Sequence, residues 1–138
     1  MKLQEIYDLY QSSKLEKHDY IKIMHQKHSL LFDYFDYIKD SDVESITIDN
    51  EKMYLTLKDT NIKLLLDRHD SRFIPIQILN FHSPNPVERD LIYELAAKSK
   101  TIFDIGANIG WYTLNFSKLE NVESVYSFEP IPHTYEYL

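Results

Sequence analysis

The spacing of apolar residues divides the chain into helical and strand-like stretches. Over residues 2–11, Leu3, Ile6, Tyr7 and Tyr10 fall at helical intervals, and Ser12-Ser13-Lys14 breaks the run. A longer helix is predicted from about Asp19 to Lys39. Its apolar positions Ile21, Met24, Leu31, Phe35 and Ile38, with His28 completing the series, recur three and four apart. This a/d-like seam is too short to assign a coiled coil and suits packing on the rest of the chain or on a second copy. From Val43 the period becomes two. Ile46 and Ile48, then Met53, Leu55 and Leu57, then Ile62, Leu64 and Leu66 alternate, with turn residues at Asp49-Asn50 and Asp59-Thr60-Asn61. That pattern predicts a three-stranded antiparallel meander with one buried face. Arg68-His69-Asp70-Ser71 reads as a loop, and Phe73 to Phe81 as holding a short strand broken at Pro75. Ser83-Pro84-Asn85-Pro86 is the clearest boundary, with Asn85 as a helix cap, Pro86 at the first helical position and Glu88 closing a capping box. Val87, Leu91, Leu95 and Ala96 then form an apolar stripe. The predicted division is a lead-in over residues 1–84 and a second region over 85–138.

Chemistry concentrates in that second region. Ile102-Phe103, closed by Asp104 and Ile105, reads as a buried parallel strand ending in an acid. Gly106-Ala107-Asn108-Ile109-Gly110 follows and contains both glycines of the chain. Trp111, Tyr112, Leu114, Asn115, Phe116 and Leu119 then wind as a helix. A strand, a glycine turn and a helix start let backbone approach a ligand closely. Val125-Tyr126-Ser127-Phe128 is a second strand, and Glu129 at its end lies 19 residues beyond Gly110. In nucleotide-binding βαβ units an acid roughly 20 residues on accepts bonds from ribose hydroxyls. A pyrophosphate site normally has a central glycine where Asn108 stands, and no basic residue lies in this loop, so the pattern fits a nucleoside ligand without phosphate.

Composition narrows the function classes. At 138 residues, 43% hydrophobic and 27% charged, the chain is long enough for one ordinary domain and globular in character. A net charge of −7 argues against a nucleic-acid surface. Without cysteine there is no thiolate metal site. His18, His25 and His28 share one side of the long predicted helix, but no carboxylate completes a ligand set, so no metal is expected. Met1-Lys2-Leu3-Gln4-Glu5 lacks the apolar core of a signal peptide, and no run approaches a membrane span; the expected location is cytoplasmic.

Asp104-Ile105-Gly106-Ala107-Asn108-Ile109-Gly110 and Phe128-Glu129-Pro130 resemble the paired motifs of the FkbM family, within the class I S-adenosylmethionine-dependent methyltransferases. The likeness runs from about Pro86 to Leu138. It implies an α/β fold, a truncated Rossmann-like core carrying the first βαβ unit, preceded by the N-terminal helical segment and the meander. The implied cofactor is S-adenosylmethionine and the implied reaction methyl transfer to a hydroxyl of a sugar, lipid or natural product. Backbone from Gly106 to Gly110, including Ala107, would line the methionine and ribose portions, and Asp104 would orient the ammonium end. Glu129 would take the two ribose hydroxyls. Phe128 and Ile131 would bracket the adenine, with the core as the other place for Phe128. Asn108 either holds the loop or touches the ligand. Trp111 and Tyr112 are expected to pack, His133 to be exposed, and no catalytic base is assigned. The family's sheet has seven strands, of which two are recognisable here, so the chain is expected to be an N-terminal portion, inactive alone, with open sheet edges and poor solution behaviour. Partners are a small-molecule methyl acceptor and, through the N-terminal helix, a second copy. The competing readings are a NAD- or FAD-dependent oxidoreductase portion and a non-enzymatic interaction module.

Overall fold

The computed structural model describes residues 1–68, 74–83 and 86–138, with the side chains of residues 86–88 outside the description. Two compact units divide after Lys39. The boundary expected at residues 84 and 85, with the Asn85 cap and the Glu88 capping box, lies outside the described residues.

The first unit is a helix pair, α1 (Leu3–Gln11) and α2 (Lys17–Tyr37), the latter ending in a 3₁₀ turn at Ile38–Asp40. The Lys2 N–H donates to Glu5 Oε2 at 2.8 Å and so secures the first turn of α1. Ile6 is fully buried, and Tyr10 stacks on Tyr20 with ring centroids 4.3 Å apart. The predicted seam of α2 behaves differently from its spacing. Ile21, His28, Leu31 and Phe35 are exposed, and α2 buries no residue. Helical periodicity records an amphipathic face but does not by itself provide a surface to cover it.

The second unit begins with the meander: β1 (Val43–Ile48), β2 (Met53–Leu57) and β3 (Lys63–Leu65), antiparallel in that order. Asp49 makes the first turn. Its Oδ1 accepts from the N–H groups of Lys52 at 2.7 Å and Glu51 at 2.8 Å, which hold the carboxyl below its ordinary pKa. Ile46 pairs with Leu55, and Leu55 with Leu64, so the apolar alternation stacks on one face. Leu55, Leu57, Leu64, Ile62 and Val43 are buried; Ile48 and Met53 at the hairpin tip stay open to solvent.

The strand expected within residues 73–81 is instead a helix, α3 (Ile74–Phe81), with Phe73 outside the described residues. Pro75 lies in the first helical turn, where a missing N–H breaks no bond, so the residue read as a strand breaker starts a helix. Pro75 and Ile78 are buried. The His82 carbonyl, just beyond α3, accepts from the Asp42 N–H at 2.9 Å.

Helix α4 (Pro86–Ala96) starts at the expected proline. Its predicted stripe is buried only in part, and the side chain of Val87 lies outside the described residues. Leu91 and Leu95 are exposed, while Ala96 is buried and Tyr93 meets Phe116 edge to face at 6.0 Å. The aromatic contact sets the rotation of this helix.

β4 (Thr101–Ile105), α5 (Trp111–Phe116) and β5 (Ser124–Phe128) form a βαβ unit whose strands pair in parallel, Thr101 with Ser124 through Ile105 with Phe128. Helix α5 packs against both strands. The strand read as buried at Ile102-Phe103 is open on one face. Ile102, Asp104, Val125 and Ser127 are partly covered, whereas Phe103 is 62% exposed and Ile105 82% exposed, with Tyr126 and Phe128 beside them. Phe103 stacks on Tyr126 at 5.3 Å and on Phe128 at 6.4 Å, so the open face is a row of aromatic rings. A short helix, α6 (Pro132–Tyr135), follows β5.

Candidate functional site

The segment between β4 and α5 is shaped by alternate left-handed residues. Gly106 has φ +83°, Asn108 φ +54° and Gly110 φ +79°. Gly106 and Gly110 adopt this region without steric cost, and asparagine is among the side-chain-bearing residues that tolerate it best. The turn is then latched onto the end of β5. The Phe128 carbonyl accepts from the N–H groups of Gly106 at 2.8 Å and Ala107 at 3.0 Å. Glu129 Oε2 accepts from the Asn108 N–H at 2.9 Å, and Oε1 from the Ile131 N–H at 2.8 Å. Glu129 therefore ties the glycine loop to the start of the chain leading into α6. Each of its oxygens has two lone pairs, so one on each remains for a ligand donor.

A cleft of about 670 Å³ opens at this end of the strand pair. Of the sequence-derived candidates, Gly106, Phe128 and Glu129 line it, together with Ile105, Ser127, Pro130 and Tyr135. No basic residue is among them. A Cβ placed on Gly106 would meet nothing within 4 Å, so the backbone there faces open space. The other candidates are not among its lining residues. Ala107 and Gly110 are buried in the loop. Ile131 is exposed and contributes its N–H to Glu129. Asn108 holds the loop through its backbone rather than lining the cleft.

Asp104 is engaged from α5. Thr113 Oγ1 donates to Asp104 Oδ2 at 2.5 Å and lies 2.7 Å from Ser127 Oγ. Asp104 and Ser127 are register partners across the two strands, and Thr113 bridges them from the helix. The carboxylate is thereby fixed in direction beneath the loop. Thr113 and Ser127 carry no sequence signal of their own; only the parallel register brings them to Asp104. His133 is exposed and contacts Tyr137 edge to face at 5.2 Å. Trp111 packs, as expected, with 6% of its surface exposed. Among the described residues no cluster of three or more His, Asp or Glu side chains is placed to hold a metal, and no helix is long and apolar enough to cross a membrane.

Compared with protein-family models, curated proteins and solved structures, the chain shows no match to any of the three.

Proposed function

We propose that the cleft beside Glu129 binds S-adenosylmethionine and that the chain belongs to a cytoplasmic methyltransferase acting on a hydroxyl of a small molecule. The observation that carries this reading is Glu129, at the carboxyl end of β5, bonded to the glycine loop and lining a cleft that has no cation among its described residues. Ligands of open α/β sheets bind outside the carboxyl ends of the strands. A carboxylate there suits the paired hydroxyl donors of a ribose, and the absence of Lys or Arg suits a ligand without pyrophosphate.

In this reading the spare lone pairs of Glu129 take the ribose, and the open backbone at Gly106 admits the chain that joins ribose to methionine. Phe128 and Pro130 offer apolar surface to the adenine. Asp104, held by Thr113, sets negative charge under the loop on the side of the ammonium group. When bound, the sulfonium supplies a methyl group that passes to a hydroxyl oxygen as the carbon–oxygen bond forms and the carbon–sulfur bond breaks, the bonding pair staying on sulfur and the proton leaving to solvent. The protein's part is alignment and exclusion of water. The exposed seam of α2 supports the further expectation of self-association through that helix.

A thermal-shift comparison tests the cofactor assignment. S-adenosylmethionine or its demethylated product should raise the melting temperature in a saturable way, and NAD should not. Stabilisation by NAD alone overturns the assignment.

A further inference from the structure

Helix α2 ends in a length of surface that its own unit leaves open. Between Leu30 and Ile38 the only charged residues are Asp33 and Asp36, and apolar or aromatic side chains take up more than half of the helix circumference. Leu30, Leu31, Phe32 and Phe35 are each more than half exposed. A stripe of about 100° serves one packing partner, so this wider arc has room for two. Helix α1 packs toward the other end of α2, through the stack of Tyr10 on Tyr20. On α1, Leu3 and Tyr7 lie beside the inward Ile6 and Tyr10 and are exposed as well. The helix pair thus carries two open apolar surfaces, the end of α2 and a strip of α1.

The seam of α2 determines how a second copy fits them. Ile21, Met24, His28, Leu31, Phe35 and Ile38 alternate three and four apart, and the series has the same spacing in both directions. An antiparallel copy therefore engages all six positions at once, Ile21 with Ile38, Met24 with Phe35 and His28 with Leu31, each layer repeated by the two-fold axis. A slip of one heptad either way leaves two positions of each copy unmatched. A parallel pair also matches the six, but it sets His28 against His28 and aligns the two helix dipoles. Charge decides against it. Residues 17–27 hold Lys17, Lys22 and Lys27 against Asp19, while residues 28–37 hold Asp33 and Asp36 and no base. Parallel pairing puts like halves together. In the antiparallel register, Asp33 and Asp36 of the second copy fall level with Gln26 and Ile23, between Lys22 and Lys27.

We propose that α2 pairs antiparallel with α2 of a second copy in this register, its apolar end lying against both α2 and the Leu3–Tyr7 strip of α1 in that copy. This rests on the self-association expected of α2 and adds its direction, its register and the surface it meets. It is independent of the ligand of the Glu129 cleft.

Sedimentation velocity of the full chain should show a dimer that dissociates on dilution. Leu31→Asp puts an unpaired charge into the seam of both copies and should weaken association at least about a hundredfold. Leu31 is 57% exposed, so the helical circular dichroism should not change, and Phe35→Asp, at 64% exposed, repeats the test in a second layer. Direction and register are read from a nitroxide on Lys22→Cys, a single thiol in a chain without cysteine and an exposed position outside the seam. In the proposed register residue 22 lies level with residue 37 of the other copy, so pulsed dipolar spectroscopy should give about 25 Å between labels, about 22 Å of it along the helices. Parallel or heptad-slipped pairs give distances below about 18 Å or above about 32 Å. A monomer, or an assembly that both aspartate variants leave intact, overturns the pairing and the self-association with it. A dimer that the variants dissociate but whose labels lie at one of the other distances overturns the proposed direction and register while self-association through α2 stands.

Discussion

The meander and the parallel strand pair are built from similar residues and end in opposite conditions. In the meander, Leu55 is fully buried and its register neighbours Ile46 and Leu64 stack on the same face. In the parallel pair, Phe103 and Ile105 alternate just as regularly, yet their face is open. Sequence-adjacent antiparallel strands complete one another within about twenty residues and need cover on one side only. Parallel strands need cover on both faces, and α5 supplies one. Hydrogen bonds compensate at the end of the pair, where the Phe128 carbonyl and the Glu129 carboxylate hold the glycine loop. The carboxyl ends of β4 and β5 are therefore organised by polar contacts, and this is where the candidate site lies.

The largest effect that can break this comparison is on the two leucine-like positions. Leu55→Ala should destabilise the second unit by about 2–5 kcal/mol in urea denaturation, as for other buried aliphatic truncations. Ile105→Ala should cost less than about 0.5 kcal/mol. Similar costs would mean that the open face is covered in solution. Amide exchange should follow the same division, slowest over β2 and faster over β4 and β5.

A smaller effect sharpens the role of the loop. Gly106→Ala meets no atom, so its cost is that of the left-handed backbone alone, about 1–2 kcal/mol. Urea denaturation that shows no loss would mean the loop relaxes out of its latch and that Phe128 and Glu129 do not hold it.

The smallest concerns Tyr93, whose phenol is raised to about 12 chiefly by burial. The folded chain keeps that proton where the unfolded chain loses it, so its contribution is intact below about pH 10 and is lost as pH rises toward 12. Tyr93→Phe should flatten the stability profile in that window and leave it unchanged at neutral pH. An unaltered alkaline slope would place Tyr93 in a more solvated setting.

Local pattern made much of this architecture legible. Period-two alternation marked the meander, and the turn at Asp49 followed from side-chain chemistry. The strand, glycine loop, helix and second strand with its terminal acid were all readable in order. Proline misled at residue 75, because its effect depends on whether a helix has already begun. The seam of α2 and the Leu91–Leu95 stripe were legible as spacing, but which face becomes covered depends on aromatic contacts such as Tyr93 with Phe116. At the site, Glu129 stood out by its offset from the loop. Its capture of the Asn108 and Ile131 N–H groups, and the bridge from Thr113 to Asp104 and Ser127, follow from strand register and loop dihedrals that no single motif encodes.

In the proposed site Glu129 serves a nucleoside ligand as well as the loop. Titration calorimetry of S-adenosylhomocysteine with the parent chain and Glu129→Ala tests it most directly. Binding to the parent chain should be saturable, and the variant should lose about 1.5–3 kcal/mol, the range for a hydrogen bond to a charged group. Equal affinity in the two proteins, with the fold of the variant intact by circular dichroism, would contradict it and leave Glu129 as a loop anchor only.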